Sequence, residues 1–359
     1  MPLQLIASER FADHLTPPGH VERVERAHVF DAVTTAWRKQ GGAIVEPRPA
    51  TRDELLAVHS AEHIAAMEST AGRAVMLDPD TFTSPESEEL ARLAAGAVCV
   101  GVEHALTERA PAFALVRPPG HHAEHDRPMG FCLYNSVAVG AEAALARGLS
   151  RVAIVDFDVH HGNGTQWAFY EDPRVLFIST HQYPFWPGTG AAEDAGQGDG
   201  EGFNINVPMA AGCGDEDYGL VFDEIVMPVL RQFAPEMMLV SAGFDAHERD
   251  PLASMKVTTS GFRRMMDDLW SLASATCEGR LVAVTEGGYD LQALGQGLEQ
   301  TVAVLSGPAR PLRPAAPAAH YLDASGGALD APHSTPGTMR GRAAVNAVKA
   351  VQRSFWSTL

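Results

Sequence analysis

Cysteine is scarce in this chain. Four of its 359 residues, Cys99, Cys132, Cys213 and Cys277, are scattered with no Cys-x-x-Cys pair. Such usage argues for reduced thiols and a cytoplasmic protein. Long apolar runs are also missing: no stretch of 18 or more apolar residues occurs, so no membrane span is expected. The N-terminus, MPLQLIASERF, lacks a basic region followed by an apolar one, so no signal peptide is expected. Positive charge is in deficit, with 27 Lys and Arg against 45 Asp and Glu and a formal net charge of −18. This argues against a nucleic-acid partner, which needs basic patches. The acidic balance suits a cationic substrate, and it suits solubility alone equally well.

Hydrophobic residues make up 45% of the chain, ample material for a core. Five short apolar runs, at 112–116, 151–157, 174–179, 237–241 and 281–285, read as parallel strands covered on both faces. Segments 21–40, 85–108, 135–146, 215–233, 260–277 and 291–305 carry apolar residues at helical spacing. The alternation predicts a single α/β domain over 1–359, with a doubly wound, mostly parallel sheet flanked by helices. A Pro/Ala-rich connector at 308–317 precedes a final helix at 339–355.

Four of the five strands run directly into polar loops: RPPGHHAEHD, DVHHGNGT, AGFDAH and EGGYD. In open parallel sheets, ligands bind beyond the carboxyl ends of the strands. Asp156, Asp158 and His160 share parity along an extended segment, so two carboxylates and an imidazole can face one point. Asp245 can add a further carboxylate from another strand end. Two Asp and one His with an open fourth position form the pattern of a catalytic zinc site. His121 and His122, being adjacent, serve better as a general base and its electrostatic partner than as two ligands of one ion. A histidine in that role needs its far nitrogen oriented, and Asp156 and Asn163 are available for this. Tyr289 follows two glycines that let its phenol approach the metal and hold an oxyanion. Taken singly, each has an ordinary alternative: an acid capping a helix, a histidine or tyrosine packed in a core. The set, gathered at strand ends, favours chemistry.

The segments RPPGHHAEHDRPMGFCLYNSVAVGA, VDFDVHHGNGTQ, LVSAGFDAH and EGGY resemble the signatures of the histone deacetylase and acetylpolyamine amidohydrolase superfamily. The match runs in order from residue 16 to residue 289. Asn163, EGGY and the ending VQRSFWSTL resemble the class II branch. The resemblance implies the arginase/deacetylase fold and one zinc held by Asp158, His160 and Asp245. It further implies His122 as general base oriented by Asn163, His121 paired with Asp156, and Tyr289 on the tetrahedral intermediate. Gly130 would accept a hydrogen bond from the substrate, and Phe131 and Trp186 would wall the channel. Two potassium sites are implied as well. One comprises Asp156, Asp158, His160, Ser179 and Thr180. The other comprises Phe169, Asp172, Val175 and Phe203, mostly through backbone oxygens.

The implied activity is removal of an acyl group from the ε-amine of lysine in a peptide or protein. The alternative is a small acylated amine such as an acetylpolyamine. Polyamine-specific relatives carry Glu after the Asp-Pro that follows the metal Asp, whereas this chain has Leu252 there. Leu252 is therefore expected at the channel mouth, favouring acyl-lysine. An arginase-like enzyme would need a second set of Asp and His ligands, which is missing. A non-catalytic binder should have lost Tyr289 or one of the tandem histidines, and all are present. Val21 and Val24 replace two prolines of the family's early segment and ease a helix start there. Trp186 stands where many members have Phe. A homo-oligomer is compatible with all of this.

Overall fold

The computed structural model describes residues 3–312 and 337–359, so positions 313–317 of the expected connector lie outside the described residues. In chain order the elements are β1 (Gln4–Ala7), α1 (Glu25–Lys39), β2 (Ala43–Val45), α2 (Arg52–Leu56), α3 (Ala61–Glu68), β3 (Val75–Met76), β4 (Phe82–Thr83), α4 (Ser87–Glu108), β5 (Ala112–Leu115), α5 (Ser136–Ala146), β6 (Val152–Asp156), α6 (Asn163–Ala168), β7 (Val175–Gln182), β8 (Asn204–Met209), α7 (Asp215–Val221), α8 (Met227–Phe233), β9 (Met237–Ala242), α9 (Thr259–Thr276), β10 (Leu281–Thr285), α10 (Leu291–Ser306) and α11 (Met339–Gln352). Eight strands form one sheet in the order β2-β1-β5-β10-β9-β6-β7-β8, every pairing parallel. β3 and β4 make a small antiparallel hairpin.

The expected α/β architecture is therefore present. Alternate residues of one strand enter different apolar clusters. Phe113 and Leu115 pack with Phe30, Phe262 and Leu294 from α1, α9 and α10. Ala112 and Ala114 pack with Leu90, Val98 and Val137 from α4 and α5. Coverage on both faces is why the central strands read as continuous apolar runs. α4 is long and apolar enough, by length and composition, to cross a membrane, yet 67% of that window is buried. It packs against α5 and the sheet as a core helix.

Some boundaries differ from expectation, each for a local reason. α1 begins at Glu25 and not at 21, because Glu22 is drawn into the interior by Arg26 and Arg117. The 215–233 segment is α7 and α8 joined by a π turn at Phe222–Val226, just ahead of Pro228, which has no N–H to donate. Asn135 caps α5, its Oδ1 accepting from the Ala138 N–H at 3.0 Å. β8 was not expected. Its sequence, NINVPM, carries Asn and Pro, which strands disfavour, and an edge strand tolerates both.

α11 ends at Gln352 and docks through the Asp217 side chain. That carboxylate accepts from the N–H groups of Gly214, Thr338 and Gly341 and from the Thr338 hydroxyl. Asp217→Ala should leave these donors without their acceptor and cost about 1–3 kcal/mol, the scale of groups left unsatisfied. Urea unfolding checks this, and an unchanged midpoint would remove Asp217 as the clasp of α11.

Candidate active site and metal centre

The four chemically loaded loops leave β5, β10, β9 and β6, which are neighbours at the centre of the sheet. Asp158 and His160 follow β6, and Asp245 follows β9. These three offer one ligand atom each, all within 4.8 Å of one another, and all three side chains are buried. His160 Nδ1 lies 3.1 Å from Asp158 Oδ1 and 3.1 Å from Asp245 Oδ2. Ligand atoms about 2.0 Å from a tetrahedral zinc stand about 3.3 Å apart, so the spacing fits one ion. The backbone steers the carboxylates. Gly287 N–H donates to Asp158 Oδ2 and Val159 N–H to Asp245 Oδ1, both at 2.8 Å.

Charge supports the same reading. Asp156, Asp158, Asp245 and Glu286 are all fully buried around this point. Burial alone would lower the pKa of His160, but its bonds to Asp158 and Asp245 raise it to about 10. Two carboxylates facing one imidazole nitrogen thus form a site built for a cation.

The tandem histidines are oriented as a pair of opposites. His121 Nδ1 meets Asp156 Oδ2 at 2.8 Å, and His122 Nδ1 meets Asn163 Oδ1 at 2.8 Å. Burial works against the His121 charge, yet Asp156 and Asp158 hold its pKa well above the usual value. Burial pushes His122 well below, and the neighbouring His121 and His160 add to that. One imidazole is held charged and the other neutral, which is how acid and base roles separate. Asn163 Nδ2 donates to Glu124 Oε1 at 2.7 Å, which turns the amide oxygen toward His122. An amide oxygen only accepts, so His122 carries its hydrogen on Nδ1 and leaves Nε2 free.

Aromatic rings surround this centre. Trp186 packs edge-on to His122 at 4.6 Å, and Phe131 to Tyr289 at 5.9 Å. Gly130 sits between the His122 and Trp186 rings. A Cβ there would drive into Trp186 Cη2 and come within 2.6 Å of His122 Cδ2. Tyr289 is buried, and burial pushes its phenol well above the ordinary value, so it stays a neutral donor. Pro251 and Tyr289 line one cleft of about 410 Å³ with Val21 and Val24. Leu252 N–H and Tyr289 N–H both donate to the Asp250 carboxylate, at 3.0 and 2.8 Å. Leu252 is thus tied to the Tyr289 loop.

The residues of the first implied potassium site are neighbours. Asp156 stands opposite Ser179 in the sheet, and the Thr180 hydroxyl donates to the Asp156 carbonyl. Phe169, Asp172 and Val175 lie on two successive turns, the Asp172 N–H donating to the Phe169 carbonyl and the Val175 N–H to the Asp172 carbonyl, and the Phe203 carbonyl accepts from Phe177 N–H.

Several contributors escaped the sequence reading. Arg117 grips Glu22 with two bonds of 2.6 and 2.7 Å, and Arg26 adds a third at 2.8 Å, all three side chains fully buried. Burial alone would raise Glu22, but Arg117, His14 and Arg26 hold it well below the usual carboxylate range. Arg26 also donates to the carbonyls of Glu286 and Gly288, bracketing the approach to Tyr289. Glu286 accepts from the N–H groups of Gly120 and His121 and from the Ser241 hydroxyl, tying the loops after β5 and β10 to strand β9. Phe185 stacks on His160 at 5.4 Å. The Glu22–Arg26 spacing is the one sequence signal among these, being the i,i+4 of a helical pair.

Residues 20–305 match the histone deacetylase domain family. A protein of Archaeoglobus fulgidus named "Probable deacetylase" is 40% identical over 80% of this chain and 81% of its own. Histone deacetylase 15 of Arabidopsis thaliana is 41% identical over 80% of this chain. The chain spans only 53% of that plant protein and 60% of the rice protein named Histone deacetylase 10, chloroplastic. Among solved structures, the HD domain of HDA15 superposes with a TM-score of 0.88 at 35% identity, covering 99% of this chain and 96% of that one.

Proposed function

The chain belongs to the histone deacetylase family of hydrolases, and on that premise we propose that it is a zinc-dependent amidohydrolase that removes an acetyl group from the ε-amine of lysine in peptides or proteins. The observation that carries this is the opposed orientation of the tandem histidines beside a buried Asp158–His160–Asp245 cluster. Zinc, when bound there, supplies Lewis acidity, polarising a carbonyl and lowering the pKa of water toward about 7.

The chain's own residues do the rest. His122 takes a proton from the attacking water at its free Nε2 and returns it to the departing lysine amine. Water and amide thereby become acetate and amine, with the proton balanced. His121, held charged against Asp156, supplies positive potential beside the developing anion. Tyr289 donates its phenol proton in a hydrogen bond to the oxyanion. Phe131 and Trp186 pack along the methylenes of the lysine stem, while the Gly130 carbonyl accepts from the substrate amide. The two potassium sites belong to this reading as well.

Release of acetate from acetyl-lysine peptides by zinc-loaded protein tests the proposal. No release from any such peptide, at one zinc per chain, would sink it.

Leu252 bears on the choice between lysine and polyamine. An apolar side chain beside the Tyr289 loop gives a second ammonium nothing to replace its hydration. A carboxylate there would pair with it in a partly desolvated place. Leu252→Glu is expected to raise kcat/KM for an acetylpolyamine relative to an acetyl-lysine peptide by roughly tenfold, about 1.4 kcal/mol. The test measures both substrates on both proteins. A parent that already prefers acetylpolyamine, or a ratio the variant leaves unmoved, would place selectivity elsewhere.

A further inference from the structure

We propose that two buried imidazoles, His161 and His181, are positioning residues that hang the loop carrying Phe185 and Trp186 in place, and so set the width of the substrate channel. The kinetic part of this inference rests on the acyl-lysine reading above, whereas its structural part does not.

The loop leaves β7 at Gln182. Its near end is fixed by the Tyr183 N–H, which donates to the Met209 carbonyl at 2.8 Å. From there to Gly188, the one backbone bond among the described contacts is internal, Gly188 N–H to the Phe185 carbonyl. The far end is held by the two histidines. His161 Nδ1 lies 2.8 Å from the Thr189 hydroxyl, and His181 Nε2 lies 2.8 Å from the Gly190 carbonyl. The imidazoles pack together with centroids 4.8 Å apart, and both are buried. Gly190 has φ +91, and a Cβ there would lie 2.5 Å from His181 Nε2 and 2.7 Å from His161 Cγ. Only glycine lets the loop come this close.

Partners that can only accept fix the direction of each bond. The Gly190 carbonyl accepts, so His181 donates through Nε2 and its Nδ1 accepts from the Ser179 hydroxyl at 2.9 Å. His161 Nε2 faces Gln166 Oε1 at 3.1 Å. That oxygen also accepts from Asn204 and Asn206 of β8, at 3.0 and 2.7 Å. His161 therefore donates through Nε2, and its Nδ1 can only accept. The Thr189 hydroxyl must be the donor. The chain of bonds runs from the edge strand through α6 and His161 to the loop.

His161 is the residue after His160, whose ring stacks on Phe185 at 5.4 Å and faces Trp186 at 5.9 Å. Neighbouring side chains on one segment thus hold the loop at two places, one at its aromatic tip and one at its far end. The wall is referenced to the same backbone that presents the metal-ligating imidazole.

Thr189→Val removes the one hydrogen that His161 Nδ1 can accept while keeping the shape of the side chain, and Thr189→Ser keeps the hydroxyl. For Thr189→Val we expect KM for an acetyl-lysine peptide to rise roughly tenfold, the scale of one lost buried bond, with kcat within about twofold of the parent. Preference between acetyl-lysine and hexanoyl-lysine should narrow. Amide hydrogens of residues 183–190 should exchange faster. Thr189→Ser should restore all three. Unchanged KM with unchanged exchange would overturn the proposal, as would a fall in kcat at constant KM, which would place the effect on the catalytic groups. If the parent fails to cleave acetyl-lysine, faster exchange in Thr189→Val and its return in Thr189→Ser uphold the positioning role while the functional reading falls.

Discussion

Asp245→Ala should yield a protein that holds no zinc and hydrolyses no acyl-lysine peptide. The three candidate ligand atoms cluster within 4.8 Å, and Asp245 would supply one of the two negative charges facing a bound ion. Losing an outer partner of a metal ligand costs roughly 10–100-fold in affinity, and losing a ligand itself costs more. The variant carries a side effect, because Asp245 Oδ1 also accepts the Val159 N–H. That buried donor would be stranded at a cost of about 1–3 kcal/mol. Asp245→Asn provides the control, since its amide oxygen can still accept from Val159 while the anionic ligand is gone. Elemental analysis of both variants, with circular dichroism to establish folding, gives the answer. Full zinc occupancy in a folded Asp245→Ala protein would remove Asp245 from the ligand set.

Tyr289→Phe should keep fold and zinc but lose roughly 10²–10³ in kcat, about 3–4 kcal/mol, as expected for one oxyanion donor. The rest of the ring's surroundings survive the change. Phe131 still meets an aromatic edge, and the Arg26 guanidinium, 5.2 Å from the ring centroid, still has a ring face to cover. The backbone is independently fixed, because Asp250 holds the Tyr289 N–H and Arg26 holds the Gly288 carbonyl. Only the hydroxyl is removed, so the loss should appear in kcat and leave KM nearly untouched. Parental turnover in this variant would show that the phenol stabilises no developing charge in the transition state.

The site was legible in the sequence wherever its logic is local. Asp158 and His160 share a strand's parity, and the structure places their ligand atoms 3.1 Å apart. The same parity sends His161 elsewhere, toward Thr189. The central strands read easily because burial on both faces leaves an unbroken Val and Ile signal. Edge strands carry no such signal: the three residues of β2 are half-buried or exposed, and β8 spends two positions on asparagines bonded to Gln166. Illegible above all were pairings across long separations. Glu22 and Arg117 are 95 positions apart, and either alone reads as a surface charge. Nor does the sequence say that the loops after β5, β10, β9 and β6 are side by side, since strand order is a tertiary choice.

That order bears on how the chain is made. β10, the last strand of the sheet to be synthesised, does not extend an edge but enters between β5 and β9. In the sheet it divides the other seven strands into two groups. β2-β1-β5 bears the His121–His122 pair at one end, and β9-β6-β7-β8 bears Asp158, His160 and Asp245. A chain that stops short of Leu281 lacks the strand hydrogen-bonded to both groups, and with it Glu286, which accepts from the Gly120 and His121 N–H groups and from the Ser241 hydroxyl. The final strand is the one whose backbone bonds join the two groups into one sheet.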